Sequence, residues 1–161
     1  MTAPAQVSRL EDFYHQIANS FVRYVVECSQ AELRDDFDRR VMSLYENWVR
    51  ESRQNEMALC DLLQEQGVVP VGSSFPIGFA QFNFLSPSYL LSPVLEKGGA
   101  ELAALGAIQK QIDAWPVGAD LASAILKRQG ELLEKARTLA AERPEEPPAP
   151  PRIKGTSASR W

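Results

Sequence analysis

The residues with the types and spacing for metal chemistry lie in one stretch, Glu51-Ser52-Arg53-Gln54-Asn55-Glu56. Positions i and i+3 of a helix share a face, so Glu51 and Gln54 can reach toward one ion, with Asn55 beside them. Glu131-Leu132-Leu133-Glu134 places two more carboxylates at the same spacing. Neither stretch holds an imidazole, and Gln is a poor replacement for one at a transition-metal site. The only histidine is His15, about 200° around its helix from Ile17 and therefore expected in solvent. Without it, neither a Ser–His–Asp nor a Cys–His set has its base. Cys28 and Cys60 are far apart in the chain and read as reduced, partly buried small hydrophobes. No strand is predicted, so no Gly-rich phosphate loop has a strand to follow. The residues predict no catalytic group and no cofactor. A carboxylate-rich site at Glu51, Gln54 and Asn55, taking iron or manganese, is the alternative.

These side chains must be positioned by helices. Leu10, Phe13, Tyr14, Ile17, Phe21, Tyr24, Val25 and Cys28 recur at spacings of three and four, which predicts a first helix over about Val7 to Cys28. Ser29-Gln30-Ala31-Glu32 has the form of a capping box and starts the second helix at Gln30. A break at Asp35-Asp36 is the alternative start, because either residue can cap. The second helix carries Leu33, Phe37, Val41, Leu44, Trp48, Leu59, Leu62 and Leu63 and stops at Gly67. Ser52 and Asn55 fall on that apolar stripe, so a polar layer held by hydrogen bonds is expected in the core.

Residues 68–85 lack helical periodicity and contain Phe75, Phe79, Phe82 and Phe84. Burying one such ring is worth roughly 1.5–3 kcal/mol, so the segment is expected to fold back across the bundle as a plug. Ser86-Pro87 and Ser92-Pro93 both read as an N-cap followed by proline, giving a third helix that starts twice or kinks. That helix continues through Ile112 and is rich in small residues, Gly98, Gly99, Ala103 and Gly106 among them. Close packing within the bundle or a contact between copies of the chain would use them. Trp115-Pro116-Val117-Gly118 reads as a turn, and a fourth helix follows from about Ala119 to Arg143. Its core face, set by Leu132, turns Glu131 and Glu134 toward solvent. The sequence thus predicts an all-α, antiparallel four-helix bundle over residues 1–143, since short connections favour antiparallel neighbours.

The composition then changes. Residues 144–151 are mostly proline and are expected to make a stiff, extended spacer of about 3.1 Å per residue. The chain closes on Arg152-Ile153-Lys154-Gly155-Thr156-Ser157-Ala158-Ser159-Arg160-Trp161. Over its 161 residues the formal net charge is -4 and 45% of residues are hydrophobic. That supports a real core and argues against a nucleic-acid partner, which needs clustered cations. No apolar run nears the roughly 20 residues of a membrane span, and no basic-then-apolar leader opens the chain. A cytoplasmic location is expected.

Phe13-Tyr14, the polar patch from Glu51 to Glu56, and the run Met57-Ala58-Leu59-Cys60-Asp61-Leu62-Leu63 resemble the ferritin-like superfamily, in particular short rubrerythrin-like bundles. The resemblance covers residues 7 to 143 in pattern. It implies a four-helix bundle around a di-iron centre built from Glu and Glu-x-x-His. Glu51-x-x-Gln54 departs from that motif, so the resemblance implies a degenerate metal site.

The C-terminal peptide supplies the main functional expectation. A stiff spacer followed by a short peptide is a way to display a docking segment. Ile153 and Trp161 would be its apolar anchors, and Arg152, Lys154 and Arg160 its steering charges. In architecture it resembles the targeting peptides of encapsulin cargo proteins. The expected role is non-enzymatic: an accessory subunit, scaffold or cargo acting by protein–protein interaction. A divergent ferritin-like metal-binding protein or oxidase is the alternative, and ligand binding beside the aromatic loop is a third option.

Overall fold

The computed structural model describes residues 2–72 and 74–144. Its secondary structure there is entirely helical: α1 Pro4–Ala18, α2 Phe21–Glu27, α3 Asp36–Glu65, a 3-10 helix Ile77–Phe82, α4 Leu91–Gln109 and α5 Pro116–Ala141. None of these helices is long and apolar enough to cross a membrane.

The predicted first helix is two. Ser20 stands in extended conformation with its hydroxyl accepting the Arg23 N–H, so it caps α2, and Asn19 closes α1. The apolar stripe runs on regardless: Leu10, Phe13, Ile17, Phe21, Tyr24 and Val25 are all buried. Cys28, expected inside the helix, ends α2 and is exposed. Ser29 does not cap anything. Its hydroxyl donates back to the Val25 carbonyl at 2.5 Å, while the Glu32 N–H turns to the Leu85 carbonyl at 3.1 Å. The second rod therefore begins at the alternative position, where the Asp35 carboxylate accepts the Asp38 N–H at 2.8 Å. Gly67, at φ 78, ends the turn that follows α3.

Ser86 caps a turn ahead of α4, accepting the Tyr89 N–H on its hydroxyl at 3.3 Å. The helix proper opens at Leu91 and takes Pro93 into its first turn, where proline costs no helical hydrogen bond. Pro116 does the same for α5, so the expected turn at Trp115–Gly118 is the start of the helix.

Neighbouring rods run antiparallel. Arg40 near the start of α3 pairs with Glu142 just past α5, and Trp48 meets Gln129. Gln109 at the end of α4 meets Ser123 near the start of α5. Glu27 of α2 meets Arg53 of α3. One core joins α2, α3, α4 and α5 around Phe21, Tyr45, Trp48, Val94 and Leu132; the other joins α1 to the far ends of α3, α4 and α5 around Leu10, Phe13, Leu59 and Ile112.

The segment before α4 folds back as expected, but only in part. Phe75, Phe79 and Phe82 pack edge-on against Phe21 and Tyr24. Ile77 and Phe84 face solvent, at 94% and 58% exposure.

Candidate functional site

The polar patch singled out in the sequence lies along the α3–α5 seam. Trp48 and Ser52 are one helical turn apart on α3, and the antiparallel course of α5 brings Gln129 between them. All three are buried. The Trp48 indole N–H donates to Gln129 Oε1 at 2.6 Å, and Gln129 Nε2 donates to Ser52 Oγ at 3.4 Å. The hydrogen-bonded layer expected at Ser52 and Asn55 is present at Ser52, while Asn55 takes no part in it. Glu51, one residue back and about 100° around the helix, sits at the rim of the seam. There Arg128 Nε and Nη2 donate to its two carboxylate oxygens at 2.6 and 2.5 Å. Arg128 also reaches Glu131, at 2.9 Å. The guanidinium holds the Glu51 carboxyl below its ordinary value, which is the effect of a bidentate ion pair.

That arrangement decides whether the degenerate di-iron set fits a metal. Both Glu51 oxygens are committed to Arg128. Gln54, which shares the expected face, is exposed. Asn55 is half-buried and turns a donor, Nδ2, into the protein without a hydrogen-bond partner. A hard cation needs oxygen acceptors converging on one point, and this set offers a carboxylate paired with Arg128 and an outward amide at Gln54, with no imidazole beside them. The residues do not fit iron or manganese. Glu131 and Glu134 are exposed, as the core face of α5 predicted. His15 is half-exposed, 3.8 Å from Glu11 and edge-on to Tyr14.

A second cluster was not foreseen. Lys97 of α4 holds its ammonium 5.7, 5.6 and 5.4 Å from the ring centroids of Phe21, Phe79 and Phe82. Three ring faces around one cation fasten the 3-10 helix to α4. One turn along α4, Glu101 accepts the Phe21 N–H at 2.8 Å. It thereby completes, from another helix, the N-terminus that Ser20 begins to cap. Burial pushes the Glu101 carboxyl up to about 7, against the Phe21 N–H and Lys97, which favour its charge. The folded value lies above the ordinary 4.5, so its stabilising share is whole below about pH 4.5 and is lost as pH rises through 7. Glu101→Gln keeps an acceptor for Phe21 and removes the charge. Urea midpoints should therefore favour the variant over the parent increasingly between pH 5 and 8, by on the order of 2–3 kcal/mol at the upper end. Parallel pH profiles would refute this. Nearby, Arg23 and Arg53 share Glu27, and Arg23 also holds Glu56. Burial opposes the Glu27 charge, but the two guanidinium groups still hold its carboxyl below its ordinary value.

The third cluster lies at the opening of α3. Asp38 is buried, and its two oxygens accept the Arg34 N–H at 2.8 Å and the Ser88 N–H at 3.0 Å. Beside it the Phe84 N–H donates to the Ser29 carbonyl at 2.8 Å. Both flanking non-glycines, Gln30 at φ 51 and Phe84 at φ 63, sit on left-handed backbone, a conformation costing of order 1–3 kcal/mol each. Arg143 and Pro144, the last described residues, line the same cavity as Arg34, Asp38 and Tyr89. The predicted docking residues Arg152, Ile153, Lys154, Arg160 and Trp161 lie outside the described residues.

Comparison of the chain with protein-family models, with curated proteins and with solved structures gives no significant match. The sequence missed Arg128, Gln129, Lys97 and Glu101. Only Gln129 left a trace, a polar residue four after Ile125 and three before Leu132 on the buried face of α5.

Proposed function

We propose that this chain is a non-enzymatic helical-bundle protein that acts by binding another protein, as an accessory subunit, scaffold or cargo. Its docking segment is the C-terminal peptide from Arg152 to Trp161. This reading takes α1 and α2 as one broken rod of a four-rod antiparallel bundle of ferritin-like kind, in which Arg128 occupies the Glu51 carboxylate. The observation that carries the reading is the change of composition after α5. A helix that ends at Ala141 is followed by Pro144 and a proline-rich spacer, then by a peptide with two apolar anchors among three cations. Closed hydrogen bonding at Trp48, Gln129 and Ser52, and the occupied carboxylate of Glu51, leave the seam a structural role.

Deleting residues 152–161 is expected to leave helicity and melting temperature unchanged and to abolish co-purification of the partner. Ile153→Asp with Trp161→Ala should do the same at full length. A truncated chain that keeps the same co-purifying proteins would end the proposal.

A further inference from the structure

We propose that a second copy of this chain docks on the outer face of the α4–α5 pair, with the two α5 helices crossing antiparallel near Gly130. A shallow, mainly apolar trough runs along that face, lined by Gly99, Leu102, Ala103, Leu126, Lys127 and Gly130. It continues past Leu133 to Glu134.

The glycines separate inner from outer demands. A Cβ built on Gly98 would stand 3.0 Å from Leu133, and one on Gly118 only 2.7 Å from the Trp115 ring. Packing within the chain accounts for both. At Gly99 a Cβ would meet nothing within 4 Å, and at Gly130 and Gly106 it would meet single leucine carbons at 3.9 and 4.0 Å. Gly106 lies outside the trough, but Gly99 and Gly130 line it; each costs about 1 kcal/mol relative to alanine, and packing within the chain requires neither. A backbone lying in the trough from outside requires both, because only a missing Cβ lets two helices approach closely.

Charge names the occupant. A two-fold axis between residues 130 and 131 of α5 carries position 127 onto position 134. It sets Lys127 against Glu134 of the partner subunit, and by symmetry Glu134 against Lys127 of the partner subunit; Glu134, which pairs with Arg137 one turn along its own helix, is then shared between two cations. Both residues line the trough. One surface thus supplies both halves of two ion pairs, which is the mark of a closed two-fold contact.

The test is sedimentation of the full-length chain across about 0.5–100 µM, which reads the dissociation constant itself; a micromolar dimer is almost wholly associated at the top of that range and largely dissociated at the bottom. The parent is expected to sediment as a dimer. Lys127→Glu and Glu134→Lys each place like charges across the axis twice and should raise the dissociation constant at least about tenfold. Mixed in equal amounts, the two variants restore both pairs and should re-form a dimer, a rescue that misfolded chains cannot give. A monomeric parent, an open-ended assembly, single variants that dimerise like the parent, or a mixture that stays monomeric would each overturn the proposal.

Discussion

Asp38→Ala is expected to lower the folding free energy by about 3 kcal/mol, read as a shift of the urea midpoint at neutral pH. Asp38 is 1% exposed and lies in the first turn of a thirty-residue helix. Its two oxygens hold the N–H groups of Arg34 and Ser88, which belong to the connections entering α3 and α4. Hydrogen bonds to a charged acceptor are worth about 1.5–3 kcal/mol each, and a deserted donor adds its own cost. The cavity beside Asp38 admits water to part of that loss, which keeps the figure near the lower sum. Burial alone would raise the Asp38 carboxyl, yet the Ser88 hydroxyl and the two N–H groups hold it below its ordinary value. The margin between parent and variant should therefore be full above about pH 4 and shrink as pH falls through the folded value. Asp38→Asn, which retains one acceptor oxygen, is expected to fall between the two. A loss under about 1 kcal/mol in Asp38→Ala would mean that solvent replaces the carboxylate fully.

The second large effect lies in the seam. Gln129→Ala removes the acceptor of the Trp48 N–H and a partner of Ser52 at fully buried positions, and leaves a void where the amide stood. Together these should cost about 3–4 kcal/mol. Trp48→Phe, Ser52→Ala and Gln129→Leu combined replace every partner by apolar atoms and should return to within about 1 kcal/mol of the parent. A triple variant as unstable as Gln129→Ala would show that the layer sets the register of α3 on α5 and is not merely tolerated there.

The all-helical class was legible because the buried stripes are long and regular. Leu59, Leu62 and Leu63 on α3, and Ile125, Leu132 and Ala136 on α5, fall where spacings of three and four place them. The ends were less legible for two separate reasons. Ser20 interrupts the first rod without disturbing its stripe, so periodicity passes over the break. Ser29 and Glu32 have the spacing of a capping box, yet Phe84 and Leu85 claim their backbone from more than fifty residues away. Asp35 then caps the helix six residues later. At the candidate site the sequence identified Glu51 and Ser52 but assigned neither its partner. Arg128 and Gln129 lie 77 positions onward, and a pairing that depends on how two rods align leaves no local mark.

The distant seal on α2 has a consequence for how the chain assembles. Seven residues are too few to hold a helix in water, and the carboxylate closing the first N–H of this one arrives from eighty positions later. Until α4 docks, that amide has no protein acceptor, so α2 can persist only once the loop between them has closed. Amide-exchange protection of α2 is therefore expected to appear only together with that of α4, whereas α3 is capped from its own sequence by Asp35.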